Sequence, residues 1–231
     1  MLPAEMINIK ITTIKNNLMK LCDFIKKTMK RRLFKQKQSN SIMLKIGVTG
    51  CFGSGKSTTL DYFKEAGFPI INLDKIVSKL YKDEKIKNKI IKEFGTVNKK
   101  ELSEIVFSNS AKRKKLELIL HAPTLKEMNS KINQLKKKNK KIVFVEVPLL
   151  FEAKLENKFN KVIVIKLSKK MCVERLLKKG FIKKEIMRRL DSQIKISEKV
   201  KKADFVIDNS KNKNMLKTQI KRICSELIEQ C

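Results

Sequence analysis

Several residue types are scarce in this chain of 231 residues, and each scarcity excludes a class of protein. Seven glycines and four prolines are too few for a collagen-like or proline-rich chain. The basic runs lack interleaved aromatic residues, with no tryptophan and only two tyrosines in the chain, and this weakens the aromatic platform on which RNA bases would stack. No uninterrupted apolar stretch approaches the ~18–20 residues of a membrane span, so we predict no membrane partner. With 42% hydrophobic residues, however, the chain is able to form a sizeable core.

Acidic residues are scarce as well. The 23 Asp and Glu residues stand against 55 Lys and Arg residues, which gives a formal net charge of +32 at pH 7. Three interpretations fit this surplus: compositional drift on a solvated surface, accommodation of anionic small molecules, and a nucleic-acid footprint. Only seven of the basic residues are Arg, whereas proteins that read phosphates and bases usually rely on the planar guanidinium. The composition therefore argues against a nucleic-acid partner.

The five cysteines and the single histidine form no zinc or disulfide pattern. Cys22, Cys51, Cys172, Cys224 and Cys231 include no C-x-x-C pair, and one histidine is too few for the usual zinc motifs. An odd number of scattered cysteines favours reduced thiols. We therefore predict a cytoplasmic protein.

Residues 1–42 differ from the rest of the chain. They carry ten basic residues and two acids, a net charge of +8, and they run into the polar stretch Gln36–Ser41. No compact apolar region precedes a small-residue cleavage site, which argues against a secretory signal. The segment could be a dispensable extension, disordered or helical, that begins at a start upstream of the natural one; a targeting segment; or an arm that binds a partner. We expect the folded domain to comprise residues 43–231.

From Met43 onward, short apolar runs alternate with segments of helical periodicity. The predicted strands are Leu44–Thr49, Pro69–Leu73, Ile142–Val147, Val162–Leu167 and Phe205–Asp208. The predicted helical segments are Lys56–Ala66, several helices between residues 76 and 138, residues 169–200 and Met215–Glu229. Strands that alternate with helices predict an α/β fold with a doubly wound parallel sheet of about five strands and right-handed crossovers.

The strongest chemical signal is the segment GCFGSGKS at residues 50–57, which matches the pattern G-x-x-x-x-G-K-[ST]. It follows a predicted strand and precedes a predicted helix, as a phosphate-binding loop requires. Backbone N–H groups and the helix N-terminus attract phosphate oxygens. Lys56 is able to bridge the outer phosphates, and Ser57 is able to supply an oxygen to Mg²⁺. The sequence therefore predicts a P-loop protein that binds a nucleoside triphosphate.

Two acidic residues lie at the carboxyl ends of predicted strands. Asp74 comes after the second strand, so its carboxylate should emerge at the carboxyl edge of the sheet, where open α/β sheets bind ligands. There it could orient or deprotonate an attacking hydroxyl, or it could be the N-cap of a helix that begins near Lys75. Glu146 ends the third strand just before Pro148, where P-loop enzymes commonly hold Mg²⁺ directly or through water.

A helical stretch downstream breaks at Gly180 and is rich in basic side chains. These are Arg175, Lys178, Lys179, Arg188 and Arg189. Such a helix–turn–helix could fold over the triphosphate as a mobile lid and neutralise the transferring charge. Alternatively, the basic side chains belong to solvent-exposed i,i+4 pairs, as Glu185 and Arg189 would.

Several motifs together resemble dephospho-coenzyme A kinase. They are GVTGCFGSGKST, PIINLDKIV around Asp74, VEVPLLFE, RRLDSQ and ADFVIDN. The phosphate loop alone is common to many families. PLLFE after the third strand, the R-x-x-x-Q spacing and the AD-x-x-I-D-N motif are far more specific. The resemblance extends from Met43 to the C-terminus, about four-fifths of the chain, and residues 1–42 have no counterpart in the family.

The resemblance implies an activity and a domain plan. The enzyme would transfer the γ-phosphoryl group of ATP to the ribose 3′-hydroxyl of dephospho-CoA, giving CoA and ADP in the last step of CoA biosynthesis. Helices between about residues 78 and 138 would form the acceptor domain, and residues 169–195 would form the lid, in a monomer or a weak homo-oligomer. The alternatives are another P-loop nucleoside or nucleotide kinase and a basic NTP-binding protein that acts on RNA.

The resemblance also implies roles for individual residues. Asp74 would orient or deprotonate the 3′-hydroxyl, while Lys56 and the lid residues Arg175 and Arg189 would offset charge. Mg²⁺ would lie at Ser57 and Glu146. Asn209, after the last strand, would lie near the adenine. The rest of the ATP site would be the phosphate loop, which consists of Gly50, Cys51, Phe52, Gly53, Ser54, Gly55, Lys56, Ser57 and Thr58.

The chain departs from the family pattern at three places. Cys51-Phe52 replaces a small glycine and an aliphatic residue, Glu146 stands where Asp is common, and Lys179 replaces an expected lid Arg. None of these changes removes a group that the chemistry needs. Cys51 also suggests a hypothesis. Near Lys56 and a helix N-terminus, the pKa of its thiol could fall, which would make the enzyme sensitive to mild peroxide.

Overall fold

The computed structural model describes residues 43–231, so the interpretations of residues 1–42 lie outside the described part of the chain. This part forms two compact units, one of residues 43–70 with 140–231 and one of residues 71–139. The strands are β1 (Leu44–Gly50), β2 (Ile70–Asn72), β3 (Ile142–Glu146), β4 (Lys161–Lys166) and β5 (Phe205–Asp208). The α-helices are α1 (Lys56–Glu65), α2 (Leu73–Leu80), α3 (Glu84–Phe94), α4 (Lys99–Ser108), α5 (Ser110–Lys137), α6 (Lys169–Leu177), α7 (Lys183–Asp191), α8 (Ile196–Lys201) and α9 (Lys213–Glu229).

The five strands form one parallel sheet in the order β2-β3-β1-β4-β5. β1 pairs with β3 on one side and with β4 on the other, so Val48 lies opposite both Glu146 and Ile163. The strands are apolar on both faces because helices cover both faces of a parallel sheet. The predicted doubly wound parallel sheet is confirmed. Since β1 is central, the loop that follows it opens at the point where the strand order reverses, which is where such sheets bind ligands.

Aromatic packing between α1 and the sheet fixes the helix that follows the phosphate loop. The ring of Phe63 in α1 stacks on Phe144 in β3 with the ring centroids 4.1 Å apart, and Phe68 meets Phe144 edge-on at 5.4 Å. All three rings are buried in a cluster that also contains Ile220 and Leu227 of α9. This packing holds the C-terminal part of α1, and with it the whole helix, against the sheet.

Residues 71–139 form the helical unit. Its helices α2, α3, α4 and α5 each begin at a residue whose side chain accepts hydrogen bonds from the first turn: Asn72, Asp83, Asn98 and Asn109. Ile86, Ile90 and Leu102 form a small core between the helices. The predicted acceptor region, residues 78–138, falls within this unit. No sequence pattern indicated that α5 continues for 28 residues through Pro123.

Within residues 43–231, no helix combines the length and the apolar character needed to cross a membrane.

Candidate active site

The phosphate loop (residues 50–58) connects β1 to α1 and holds its lysine in place. The Lys56 side chain is only 9% exposed, and its Nζ donates hydrogen bonds to the carbonyl oxygens of Gly50 (3.1 Å) and Cys51 (3.0 Å). Gly55 has a φ of 90°, a conformation that favours glycine. A Cβ at Gly55 would also collide with the Asn209 amide. The loop therefore wraps its ammonium group and leaves no room for a side chain at Gly55.

The two predicted metal ligands lie together. Ser57, in the first turn of α1, donates a hydrogen bond from its hydroxyl to Glu146 Oε1 at 3.2 Å. Glu146 is the last residue of β3 and is only 6% exposed. A hydroxyl and a carboxylate oxygen are ligands that Mg²⁺ prefers, and Mg²⁺ usually takes its remaining ligands from water and phosphates. The residues present thus fit a Mg²⁺ ion at this place.

Arg175 and Asn209 also meet at the phosphate loop. Asn209 Nδ2 donates to the Ser54 carbonyl (2.7 Å), and Arg175 Nη2 donates to the Asn209 carbonyl (2.8 Å). The backbone N–H of Asn209 donates to the Lys166 carbonyl at the end of β4. The sheet, the phosphate loop and the Arg175 guanidinium are thereby joined at one residue. The Asn209 amide thus contacts the phosphate loop, and its proximity to the adenine stays a prediction.

The lid segment (residues 169–195) contacts the phosphate loop through Phe52. Gln193 Oε1 accepts a hydrogen bond from the Phe52 N–H (2.9 Å), and the Arg189 guanidinium lies 5.0 Å from the Phe52 ring centroid. Arg189 also pairs with Glu185 at 2.6 Å. The loop contact and the i,i+4 pair therefore coexist. Lys178, Lys179 and Arg188, by contrast, have exposed side chains.

Asp74 belongs to the helical unit and lies in the first turn of α2. The N-cap of this helix is Asn72, whose Oδ1 accepts from the Lys75 N–H at 2.8 Å. The alternative that Asp74 is the cap is therefore wrong. Asp74 is exposed and lines a cavity of about 350 Å³ within the unit, together with Tyr81 and Leu102 among others. The role of Asp74 toward the acceptor stays a prediction.

The structure contradicts the expected acidity of Cys51. The side chain lies in an apolar cluster with Cys172 and Leu176. Burial raises the pKa of the Cys51 thiol, and this effect outweighs the opposing charges of Lys199 and Lys56. Burial also raises the pKa of Cys172, to about 11. The hypothesis of a lowered thiol pKa at Cys51 is wrong because the loop turns this side chain into the protein.

Sequence reasoning missed a buried ion pair beside the loop. Lys199 is completely buried, and its Nζ lies 2.7 Å from Glu152 Oε1. The same oxygen accepts a hydrogen bond from the Ile194 N–H at 3.0 Å, next to Gln193. The motif PLLFE contains Glu152 but says nothing of its partner, because Lys199 is one of many lysines in its region. The burial of the Lys199 charge can be recognised only in the folded structure.

This geometry can be compared with known proteins. The family model of dephospho-CoA kinase matches residues 44–214. The chain belongs to the dephospho-CoA kinase family. The dephospho-CoA kinase of Aquifex aeolicus is 34% identical over 194 residues, which cover 80% of this chain and 98% of that protein. The enzyme of Fusobacterium nucleatum is 33% identical over 196 residues, which cover 81% of this chain and 100% of that protein.

Solved structures extend the similarity to the fold. The dephospho-CoA kinase from Campylobacter jejuni has a TM-score of 0.59 and 30% identity, and the match covers 81% of this chain and 98% of that chain. A crystal structure from Thermus thermophilus has a TM-score of 0.70 and 27% identity, over 80% of this chain and 97% of that chain. The resemblance to the dephospho-CoA kinase family is confirmed.

Proposed function

We propose that this chain transfers the γ-phosphoryl group of ATP to the ribose 3′-hydroxyl of dephospho-CoA, giving CoA and ADP. One observation carries the proposal. In this chain, which belongs to the dephospho-CoA kinase family, Lys56, the Ser57–Glu146 pair and Arg175 all lie around one phosphate loop. In phosphoryl transfer the protein mainly positions the reactants and stabilises charge, and these residue types serve that purpose.

The loop residues would bind the outer phosphates of ATP. Lys56 is already directed along the loop by the carbonyls of Gly50 and Cys51. A phosphate oxygen would replace one or both carbonyls as its acceptor, so the ammonium group needs little rearrangement. Arg175 is held next to Gly55 by the Asn209 carbonyl and would offset the charge of the phosphoryl group in transfer.

Ser57 and Glu146 would hold the Mg²⁺ ion. The ion would supply charge neutralisation to the β- and γ-phosphate oxygens. Glu146 Oε1 accepts a hydrogen bond from the Ser57 hydroxyl, and this bond would orient both oxygens toward the ion.

Asp74 would act on the acceptor. Its carboxylate stands at the wall of the cavity that Tyr81 and Leu102 help to form, which offers the acceptor an apolar surface beside one charged group. The carboxylate would accept the proton of the ribose hydroxyl as that oxygen attacks the γ-phosphorus. The predicted dephospho-CoA substrate would therefore use the helical unit, while ATP uses the phosphate loop.

The family match does not favour the alternative functions. Another P-loop nucleoside or nucleotide kinase would need a different acceptor, and an RNA-directed NTP-binding protein would need a polynucleotide surface. The cytoplasmic location and a monomeric or weakly oligomeric state stay predictions.

Release of ADP by the full-length chain tests the proposal. ATP and Mg²⁺ are supplied with dephospho-CoA, adenosine, AMP, RNA or no acceptor, and Lys56→Met serves as the control for contaminating kinases. We expect ADP release to depend on dephospho-CoA alone and to disappear in Lys56→Met. Stimulation by adenosine or AMP instead would assign the chain to another kinase activity. Stimulation by RNA alone would contradict the kinase assignment.

A further inference from the structure

Phe52 of the phosphate loop makes three separate contacts with the lid segment. Its backbone N–H donates to Gln193 Oε1 at 2.9 Å. Its ring meets the Phe181 ring edge-on, with the centroids 5.4 Å apart and the planes at 89°. The Arg189 guanidinium lies over the same ring at 5.0 Å from its centroid. Phe181 lies in the turn before α7, Arg189 in α7 and Gln193 just after it, so one loop residue contacts the lid segment at three places.

The Phe52 ring belongs to the hydrophobic core of the lid segment. It packs, half-buried, against the cluster that contains Leu176 of α6 and Ile186 of α7. Phe181 lies beside Gly180, in the turn between these two helices. The Phe52 ring therefore links the phosphate loop to α6, to α7 and to the turn between them.

The ring also determines where the Arg189 charge lies. On one side the guanidinium pairs with Glu185 at 2.6 Å, and on the other it faces the electron-rich surface of Phe52. The carboxylate is on the same helix and moves with Arg189, so it does not fix the helix relative to the loop. The Phe52 ring is part of the loop and does fix it. An aliphatic residue at this position would fill space but would offer no π surface to the cation.

We propose that Phe52 is a positioning residue, which docks the lid segment on the phosphate loop and holds the Arg189 guanidinium beside the loop. Phe52 acts through Arg189, and this consequence for catalysis rests on the proposed kinase function. The docking itself does not, because it concerns contacts within residues 43–231 alone. The two statements are therefore tested separately.

Hydrogen exchange measured by mass spectrometry on the full-length chain, without nucleotide or acceptor, tests the docking. The variants are Phe52→Leu, which removes the ring, and Phe52→Tyr, which retains it. Ile182→Ala is the matched control, because Ile182 lies beside Phe181 in the same turn but is 71% exposed. Peptides from α9 serve as the internal reference, since this helix belongs to the central core.

We expect amides of residues 178–190 to exchange about five- to tenfold faster in Phe52→Leu, which corresponds to the loss of one aromatic pair and one cation–π contact. Phe52→Tyr and Ile182→Ala should exchange at the wild-type rate, and α9 should not change in any variant. Unchanged exchange of the lid segment in Phe52→Leu would overturn the docking. Faster exchange of the lid segment and α9 alike would also overturn it, because it would indicate general destabilisation.

A kinetic cycle tests the consequence for Arg189. If Phe52 acts through Arg189, kcat/KM of the double variant Phe52→Leu/Arg189→Ala should be no lower than that of the more impaired single variant. Independent, multiplicative losses would overturn this positioning role. If none of the variants and not even the wild-type chain phosphorylates dephospho-CoA, the proposed function fails, while the exchange experiment still decides the docking.

Discussion

At the scale of single residues, the groups proposed for the transfer are oriented by neighbours of different kinds. Lys56 is held by loop carbonyls, Ser57 by the Glu146 carboxylate, and Arg175 by the Asn209 carbonyl. The motif 50–57 was sufficient to predict that Lys56 and Ser57 lie where a phosphate loop leads from β1 into α1, because the spacing of such a loop fixes its own geometry. Their roles in the transfer stay predictions. The contact of Asn209 with Ser54 joins residues 155 positions apart, and no local pattern records such a contact.

Replacement of Asp74 tests the role of its carboxylate. In Asp74→Asn the amide is not able to accept a proton, so we expect turnover with dephospho-CoA to fall by about 10²-fold or more. The affinity for ATP should change less than about twofold, because ATP uses the phosphate loop. The measurements are steady-state ADP release and the Kd for ATP from calorimetry.

The matched control is Asp83→Asn, the same chemical change in the same helical unit. Asp83 caps α3, and Asn is an equally good N-cap, so this variant should keep wild-type turnover. Wild-type turnover in Asp74→Asn, or an equal loss in both variants, would contradict the proposed role.

Alkylation of Cys51 tests the effect of burial on its acidity. Only the thiolate reacts, and a pKa raised above its usual value of 9.0 leaves little thiolate at neutral pH. We therefore expect labelling of Cys51 by iodoacetamide to be slow at pH 7 and to increase still through pH 9. Labelled peptides are quantified by mass spectrometry, with the chain in urea as the reference. Fast labelling that levels off near pH 7 would restore the low-pKa hypothesis, as would peroxide inhibition that Cys51→Ser abolishes.

At the scale of secondary-structure elements, the strands were predictable because each is a short apolar run bounded by glycine, proline or polar residues. The break of the lid segment was also predictable, since Gly180 has a φ of 83° between α6 and α7. The length of α5 was not, because Pro123 usually ends or bends a helix. The contact between the segment after β3 and α8 was not predictable either, because it depends on the single buried ion pair of Glu152 and Lys199.

The Glu152–Lys199 pair makes a measurable contribution at this scale. Lys199→Met leaves the Glu152 carboxylate in a buried place without its cation, so we expect the free energy of unfolding to fall by about 3–5 kcal/mol. The double variant Glu152→Gln/Lys199→Met should recover most of this loss, because neither member of the pair then carries a charge. Urea unfolding followed by circular dichroism measures both.

A surface pair provides the control for this measurement. Lys131 and Glu127 form a partly exposed i,i+4 pair on α5, and Lys131→Met should change the free energy of unfolding by less than about 1 kcal/mol. If Lys199→Met were no more destabilising than Lys131→Met, the buried pair would have no special role. If the double variant were less stable than Lys199→Met, the explanation by an uncompensated charge would be wrong.

At the scale of the whole molecule, composition is a weak guide and motif order is a strong one. A net charge of +32 alone left three interpretations open, whereas the order of phosphate loop, Asp74 segment, PLLFE and ADFVIDN indicated one family that the comparison with known proteins bears out. The contacts of Phe52 with the lid segment required the folded chain, since Gln193 is 141 positions away. The sequence therefore predicted which motifs and elements are present. The structure added the contacts between motifs that lie far apart in the chain.

The decisive experiment for the proposed function locates the transferred phosphate. The full-length chain is incubated with ATP, Mg²⁺ and dephospho-CoA, and the product is examined by mass spectrometry and by phosphorus–proton NMR correlation. We expect a product heavier than dephospho-CoA by one phosphoryl group, with the new phosphorus coupled to the ribose proton at C3′. Unmodified dephospho-CoA, or a phosphate attached at any other position, would contradict the proposed transfer.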